Sequence, residues 1–250
     1  MLLAACAGGG ERVIVAAGTT VVDSGLVDLV AATFEETHPG IQVSVVAQPT
    51  RLALELGRDG AADLTITHAP QQEAQYVAEG LASVAVTVFT SRFVLLGPPE
   101  LKPRFQGRTL PEVLKSIHAD GITFVSRGDG SGTHDKEMAQ WQEAGLDPRG
   151  EPWYLVTGQG MGPTLLIADQ TRGVTLAEYG AYLAAREIIT IVDLEVEALG
   201  LDNPYTAMVS ASSAQQKAAE TFLEWLTSAE GRAAIEAANA ELFGETVYQP

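Results

Sequence analysis

The chain is poor in three things. It has one cysteine, Cys6, in 250 residues, so no intramolecular disulfide can form. It has no run of eighteen apolar residues, so no segment reads as a membrane-spanning helix. It is also short of cations: 15 Lys and Arg stand against 32 Asp and Glu, a net charge of −17. That balance argues against nucleic acid and anionic lipid surfaces as partners, because both repel a like-charged protein. The four histidines, His38, His68, His118 and His134, have no metal-ligand spacing, so no metal site is expected. Ser131, His134 and Asp135 lie too close in sequence to form a catalytic triad. "GQGMG" lacks the spacing and distal acid of a dinucleotide fingerprint, and no cofactor is expected.

What is there is an apolar content of 46%, enough for substantial cores, at a length suited to one large domain or two ordinary ones. Short apolar runs, "RVIVAA" (12–17), "IQVSVVA" (41–47), "DLTIT" (63–67), "FVLLG" (93–97), "ITFVS" (122–126) and "IITIVDL" (188–194), read as strands. Between them, Leu26, Leu29, Val30 and Phe34 show the three-and-four spacing of a helix, and "SAEGRAAIEAANA" reads as a final helix. Such alternation predicts an α/β fold with largely parallel sheets. At the N-terminus, "LLAAC" has the form of a bacterial lipobox ending at Cys6, and "AGGGE" follows as a tether. Only five residues precede Cys6, fewer than a secretory signal needs, so a start upstream of Met1 is expected. An acyl chain on Cys6 would tether the protein to the outer face of a membrane.

Four loops follow strands and open helices. "AGTTVVDS" (17–24) precedes the first helix; "QPTRL" (48–52) precedes a short one that Gly57 is expected to close as a C′ glycine. "SRGDGSGTH" (126–134) precedes a helix that Ser131 should cap, and "GQGMGPT" (158–164) precedes one with Pro163 at its first position. A helix N-terminus offers unpaired N–H groups and partial positive charge, so loops of this kind suit an anion. They also suit ordinary capping and turns, and composition alone does not bring them together.

"VSRGDGSGTHDKE" (125–137), "WYLVTGQGMGPTL" (153–165) and "NPYTAMV" (203–209) resemble the tungstate-binding family of ABC-transporter substrate-binding proteins. Supporting stretches are "DSGLVDLV", "LELGRDGAADLTITHAP" and "SRFVLLGPP", and the resemblance runs from about residue 12 to 230. It implies the α/β, two-lobed type II periplasmic-binding-protein fold, with a central ligand cleft and two crossover hinge segments, near "TVFTSRFV" and "NPYTAMV". Residues 1–11 would be lipobox and tether, 12–90 plus 205–250 lobe one, and 91–204 lobe two. It further implies capture of tungstate or molybdate for an ABC permease, outside the cytoplasm, by a monomer that touches the membrane only through its lipid. By position the ligand-binding residues are Thr19, Thr20, Thr50, Arg127, Ser131 and Thr133, with backbone N–H groups of Gly160 and Met161. Asp129 would hold Arg127 in place, and His134 would sit beside the site.

There are departures. The family's run of four hydroxyls aligns with Ala17-Gly18-Thr19-Thr20, so two are missing, and "PTRL" brings in Pro49 and Arg51. An arginine usual in the family is absent from "AEYGAYLA". A tetrahedral dianion carries only acceptor oxygens, so its pocket should present only donors. A phosphate site often needs a carboxylate to accept phosphate's proton, so the positions of Asp129 and Arg51 separate tungstate from phosphate, sulfate or a small organic anion. An enzyme on the same scaffold would need an activated nucleophile or base, and none is visible among the candidate residues. Trp141, Trp153 and Trp225 read as core or interface residues.

Overall fold

The computed structural model describes residues 10–250, so the lipobox expected at Cys6 lies outside the described residues. The strands are β1 Glu11–Gly18, β2 Ile41–Gln48, β3 Leu64–Thr67, β4 Ala82–Gly97, β5 Phe124–Ser126, β6 Tyr154–Val156, β7 Thr175–Glu178, β8 Val192–Asp193 and β9 Asp202–Ser210. The first helices are α1 Thr19–Asp23, α2 Leu26–Thr37, α3 Thr50–Arg58, α4 Pro70–Ala78, α5 Lys102–Phe105 and α6 Leu110–Asp120. They are followed by α7 Gly132–Glu143, α8 Met161–Thr171, α9 Tyr179–Ala185, α10 Gln216–Thr227 and α11 Ala229–Phe243. Among the described residues no helix is long and apolar enough to cross a membrane.

The main sheet runs β2-β1-β3-β9-β4-β7, with β8 also on β4. The α/β expectation holds, but the expectation of largely parallel sheets does not. β1 is parallel to β2 and β3, and β5 to β6, whereas β9 is antiparallel to both β3 and β4, and β4 is antiparallel to β7 and β8. The reason is topological: β4 carries the chain from one half to the other and β9 brings it back, so the two run in opposite senses. A register shift interrupts their ladder between Thr87 and Phe89.

β4 feeds both halves. Val88 and Phe89 enter a core with Val15, Leu64 and Ile66 from the sheet and Phe34, Phe222 and Ile235 from α2, α10 and α11. Beyond it, alternate residues point to opposite faces: Phe93 and Leu95 join Phe105, Phe124 and Trp141, while Val94 and Leu96 join Met161, Leu165 and Ile191. Burial on both faces is why "FVLLG" is continuously apolar. The run at 93–97 is only the last part of a 16-residue strand, whose earlier residues include the exposed Val84 and Val86. "IITIVDL" shrinks to the two-residue β8, Val192 and Asp193, which pair with Gly97 and Leu96 at the end of β4. Trp141 and Trp225 are buried and Trp153 packs against the second core.

Two helix boundaries also differ from expectation. Gly57 lies inside α3, where a Cβ would fall 2.6 Å from the Tyr76 hydroxyl; Gly60, at φ +72°, follows the helix instead. Pro163 is the third residue of α8, a position where a backbone N–H would have no intrahelical partner, so the proline's missing donor costs nothing.

Candidate functional site

At the C-terminal edge of β1 the chain turns at Gly18 directly into α1. The parallel register sets Gln48 of β2 beside Gly18, so Thr19, Thr20 and Thr50 open neighbouring helices at one sheet edge. This is where open α/β sheets bind ligands. Thr50 is 1% exposed, and its hydroxyl has no hydrogen-bond partner. Arg51, next in sequence, faces outward and pairs with Glu55 at 2.7 Å, one helical turn on.

Thr20 is buried differently. Its Oγ1 lies 3.3 Å from His68 Nε2 and 3.4 Å from the Tyr205 hydroxyl, so it can donate to the ring nitrogen while accepting the tyrosine proton. His68 Nδ1 sits 2.9 Å from Asn203 Oδ1 and the ring stacks on Tyr205, 4.7 Å between centroids. Burial lowers the His68 pKa to about 4, with the Arg127 charge adding to the effect against the Asn203 hydrogen bond, so the ring is neutral at pH 7. Thr20 therefore belongs to a wall of the site rather than to its free donors.

Arg127 follows β5 and is 1% exposed. Its Nε and Nη2 donate to Asp129 Oδ2 at 3.1 and 2.6 Å, and Nη2 also donates to Thr19 Oγ1 at 3.1 Å. Nη1 has no partner. A buried charge is tolerable only when paired, and Asp129 supplies the pair. The Asp129 carboxyl is held below its ordinary range: burial pushes it up, but Arg127 and the hydrogen bonds from Ser131 outweigh burial. Its second oxygen accepts the Ser131 N–H at 3.1 Å, so both oxygens are engaged.

The rest of that loop is built around its glycines. Gly128, at φ +61°, passes so close to Val156 that a Cβ would lie 2.2 Å from its Cγ1. Ser131 caps α7 by accepting the His134 N–H at 3.4 Å, as its sequence position predicts, and His134 Nδ1 accepts the Gly130 N–H at 3.2 Å. At Gly132 a Cβ would lie 2.5 Å from the His68 carbonyl oxygen, which fixes the start of α7 against the first half of the molecule. Thr133 follows, 1% exposed, with an unpartnered hydroxyl.

The β6–α8 loop is tied to the same place: Gly158 N–H donates to the Arg127 carbonyl at 2.8 Å and Thr157 N–H to that of Ser126 at 3.0 Å. Gly160 precedes α8 and meets nothing where a Cβ would stand. The Met161 side chain is buried among Leu165, Val94 and Val125, so only its backbone is available.

Arg127 Nη1, Thr133 Oγ1 and Thr50 Oγ1 are thus buried donors lacking acceptors. Leaving such a group unpaired costs about 1–3 kcal/mol, more for a charged one. They fit a ligand made of acceptor oxygens, and the carboxylate beside them, Asp129, has both oxygens engaged. Among the described residues no group of three or more His, Cys, Asp or Glu gathers for a metal cation. His68, Asn203 and Tyr205 went unassigned in the sequence. The one signal was their place inside "LTITHAP" and "NPYTAMV", which says nothing of their contacts.

Residues 5–230 match the family model described as a PBP superfamily domain. The tungstate-binding protein TupA of Peptoclostridium acidaminophilum is 32% identical over 246 residues, 95% of this chain and 85% of that protein. An ABC-transporter anion-binding protein of Haloferax volcanii, so named provisionally, is 33% identical over 241 residues, 91% of this chain and 69% of that one. Among solved structures, the tungstate ABC transporter of Geobacter sulfurreducens superposes with a TM-score of 0.81 at 35% identity, covering 91% of this chain and 98% of that one.

Proposed function

The chain belongs to the periplasmic-binding-protein superfamily, and we propose that it captures a tetrahedral oxyanion, tungstate or molybdate, for an ABC importer. The observation that carries this reading is the 1%-exposed Arg127 guanidinium, fixed by Asp129 and Thr19 with Nη1 still unpartnered. In the bound state Arg127, the hydroxyls of Thr19, Thr50, Ser131 and Thr133, and the N–H groups of Gly160 and Met161 surround the anion. Hydrogen bonds to a charged group contribute roughly 1.5–3 kcal/mol each. About seven of them are compatible with nanomolar binding, about −12 kcal/mol, once ordering and desolvation are subtracted. The engaged oxygens of Asp129 speak for a fully ionised anion over phosphate, which brings a proton that needs an acceptor.

Residues 12–90 plus 205–250 form lobe one and 91–204 lobe two, joined by β4 and β9. The permease reads their closure. The protein works as a monomer outside the cytoplasm, anchored through lipid on Cys6, and carries out no catalysis. Its relatives are named for binding, and the site holds no activated base.

Thermal melts with tungstate, molybdate, sulfate and phosphate test the reading. A ligand bound only by the native state adds RT ln(1 + [L]/Kd), about 7 kcal/mol for nanomolar affinity at ~100 µM ligand. A large shift with tungstate or molybdate alone supports it. A shift with phosphate or sulfate, or none, overturns it.

A further inference from the structure

We propose that Glu137 couples capture of the dianion to the uptake of one proton, an inference that rests on the oxyanion reading above. Glu137 lies on α7 one turn beyond Thr133 and on the same face, inside the helix whose N-terminus lines the site. It is 4% exposed, and no salt bridge reaches it among the described residues. From β6 the Tyr154 hydroxyl donates to its Oε1 at 2.5 Å. From β5 the Ser126 hydroxyl turns toward it, as does the Trp141 indole N–H one turn along α7. Both favour its charged form, yet neither reaches full hydrogen-bond geometry, and neither has another partner. The facing formal charge is Asp129, of the same sign; Arg149 acts on Tyr154 from further out.

Burial above all, against the donors and with Asp129, pushes the Glu137 carboxyl up to about 7. A dianion held by Thr133 and Arg127 adds negative charge on the side where Asp129 already repels it. The bound state therefore favours the neutral carboxyl. The proton comes from solvent. Tyr154 keeps its hydrogen bond to one carboxyl oxygen, and the protonated oxygen donates to Ser126 Oγ, a buried atom with no other partner. No covalent bond changes.

The sign follows from linkage. Below the free protein's Glu137 pKa the carboxyl is neutral in both states and affinity is constant. Above it, binding takes up a proton and affinity falls, by up to about tenfold per pH unit, until the bound-state pKa is passed. Ligand is held tighter at the acidic end of the range and released more readily at the alkaline end.

Isothermal titration with sodium tungstate at pH 6.5 to 9, where tungstate is a bare dianion, reads this in two buffers of different ionisation enthalpy. We expect proton uptake approaching one near pH 8 and about fivefold weaker affinity at pH 8 than at pH 7, steepening towards tenfold per pH unit above that. Glu137→Gln, which copies the neutral carboxyl in shape, should bind at every pH with no proton uptake. Tyr154→Phe removes a donor to the carboxylate and should move the fall in affinity to higher pH; it decides the matter if Glu137→Gln does not fold. Equal heats in both buffers throughout, or a pH dependence that survives in Glu137→Gln, overturns the inference while leaving the oxyanion reading in place. No binding at any pH overturns both.

Discussion

Gly132 stands against the carbonyl oxygen of His68, where a Cβ would lie only 2.5 Å away. The contact joins the first turn of α7 to the loop after β3, beside the proposed anion site. Gly132→Ala should hold them apart. The expected result is at least about tenfold weaker tungstate binding, about 1.4 kcal/mol, with a melting temperature in the absence of ligand near that of the parent. Small-angle scattering should show a ligand-bound form more open than the parent's.

Arg127→Ala removes the charge proposed to face the anion and leaves Asp129 without its pair. Loss of two charge-assisted hydrogen bonds at roughly 1.5–3 kcal/mol each predicts at least a hundredfold weaker binding by calorimetry. Breaking a buried pair also costs stability, about 3–5 kcal/mol at most. Arg127→Ala/Asp129→Asn should recover much of that stability and none of the binding. A double variant that binds within a few-fold of the parent rules out Arg127 as the anchor.

Thr133→Ala and Ser91→Ala should separate affinity from stability. The Thr133 hydroxyl is unpartnered in the folded chain, so its loss should weaken oxyanion binding about tenfold or more and leave the melt unchanged. Ser91 donates to the buried carboxylate of Glu178. Its loss should lower the melting temperature and leave affinity within a few-fold. Equal effects on affinity would count against the site.

Between pH 4.5 and 6.5, His68 and Glu137 should tilt stability in opposite directions. The folded His68 pKa lies near 4 against 6.5, so the unfolded chain binds the extra proton in this window and stability rises with pH. The folded Glu137 pKa lies near 7 against 4.5, so the folded chain holds the extra proton and stability falls with pH. Each contributes about 1.4 kcal/mol per pH unit, with opposite sign. Relative to the parent, the pH slope of stability in urea melts should turn downward in His68→Gln and upward in Glu137→Gln. Matching slopes in the two variants contradict the assignment.

A net charge of −17 repels a dianion at long range. Stopped-flow association rates for tungstate should therefore rise as salt is raised from 10 to 150 mM, since the Debye length shrinks from about 30 to about 8 Å. A rate that falls with salt would mean that the local field of Arg127 and the helix N-termini governs encounter.

The alternation of strands and helices, and the loops that open α1, α3, α7 and α8, could be read from the sequence because they depend on neighbours in the chain. The Arg127–Asp129 pair and the Ser131 cap are of that kind, each spanning two or three residues. The wall of the site is not. Thr20 meets His68 across 48 residues and Tyr205 across 185, and His68 meets Asn203 across 135. No periodicity records such distances. The parallel-sheet expectation failed likewise, because the sense of β9 follows from a return crossing that local pattern does not encode. The expectations for Gly57 and Pro163 went astray by two or three residues at helix ends, where a glycine or proline has more than one use.

No slack linker joins the two halves: β4 passes from one core to the other as a single paired strand, with its register shift at Thr87 and Phe89 just before the crossing. The lobe opening proposed above would then be torsion spread along a hydrogen-bonded ribbon. The shift also sets the phase of the pleat. Removing Val88 would turn every later side chain of β4 to the opposite face, exchanging Phe93 and Leu95 with Val94 and Leu96 between cores of different shape. One residue at this crossing thus fixes the phase of the strand in both cores at once.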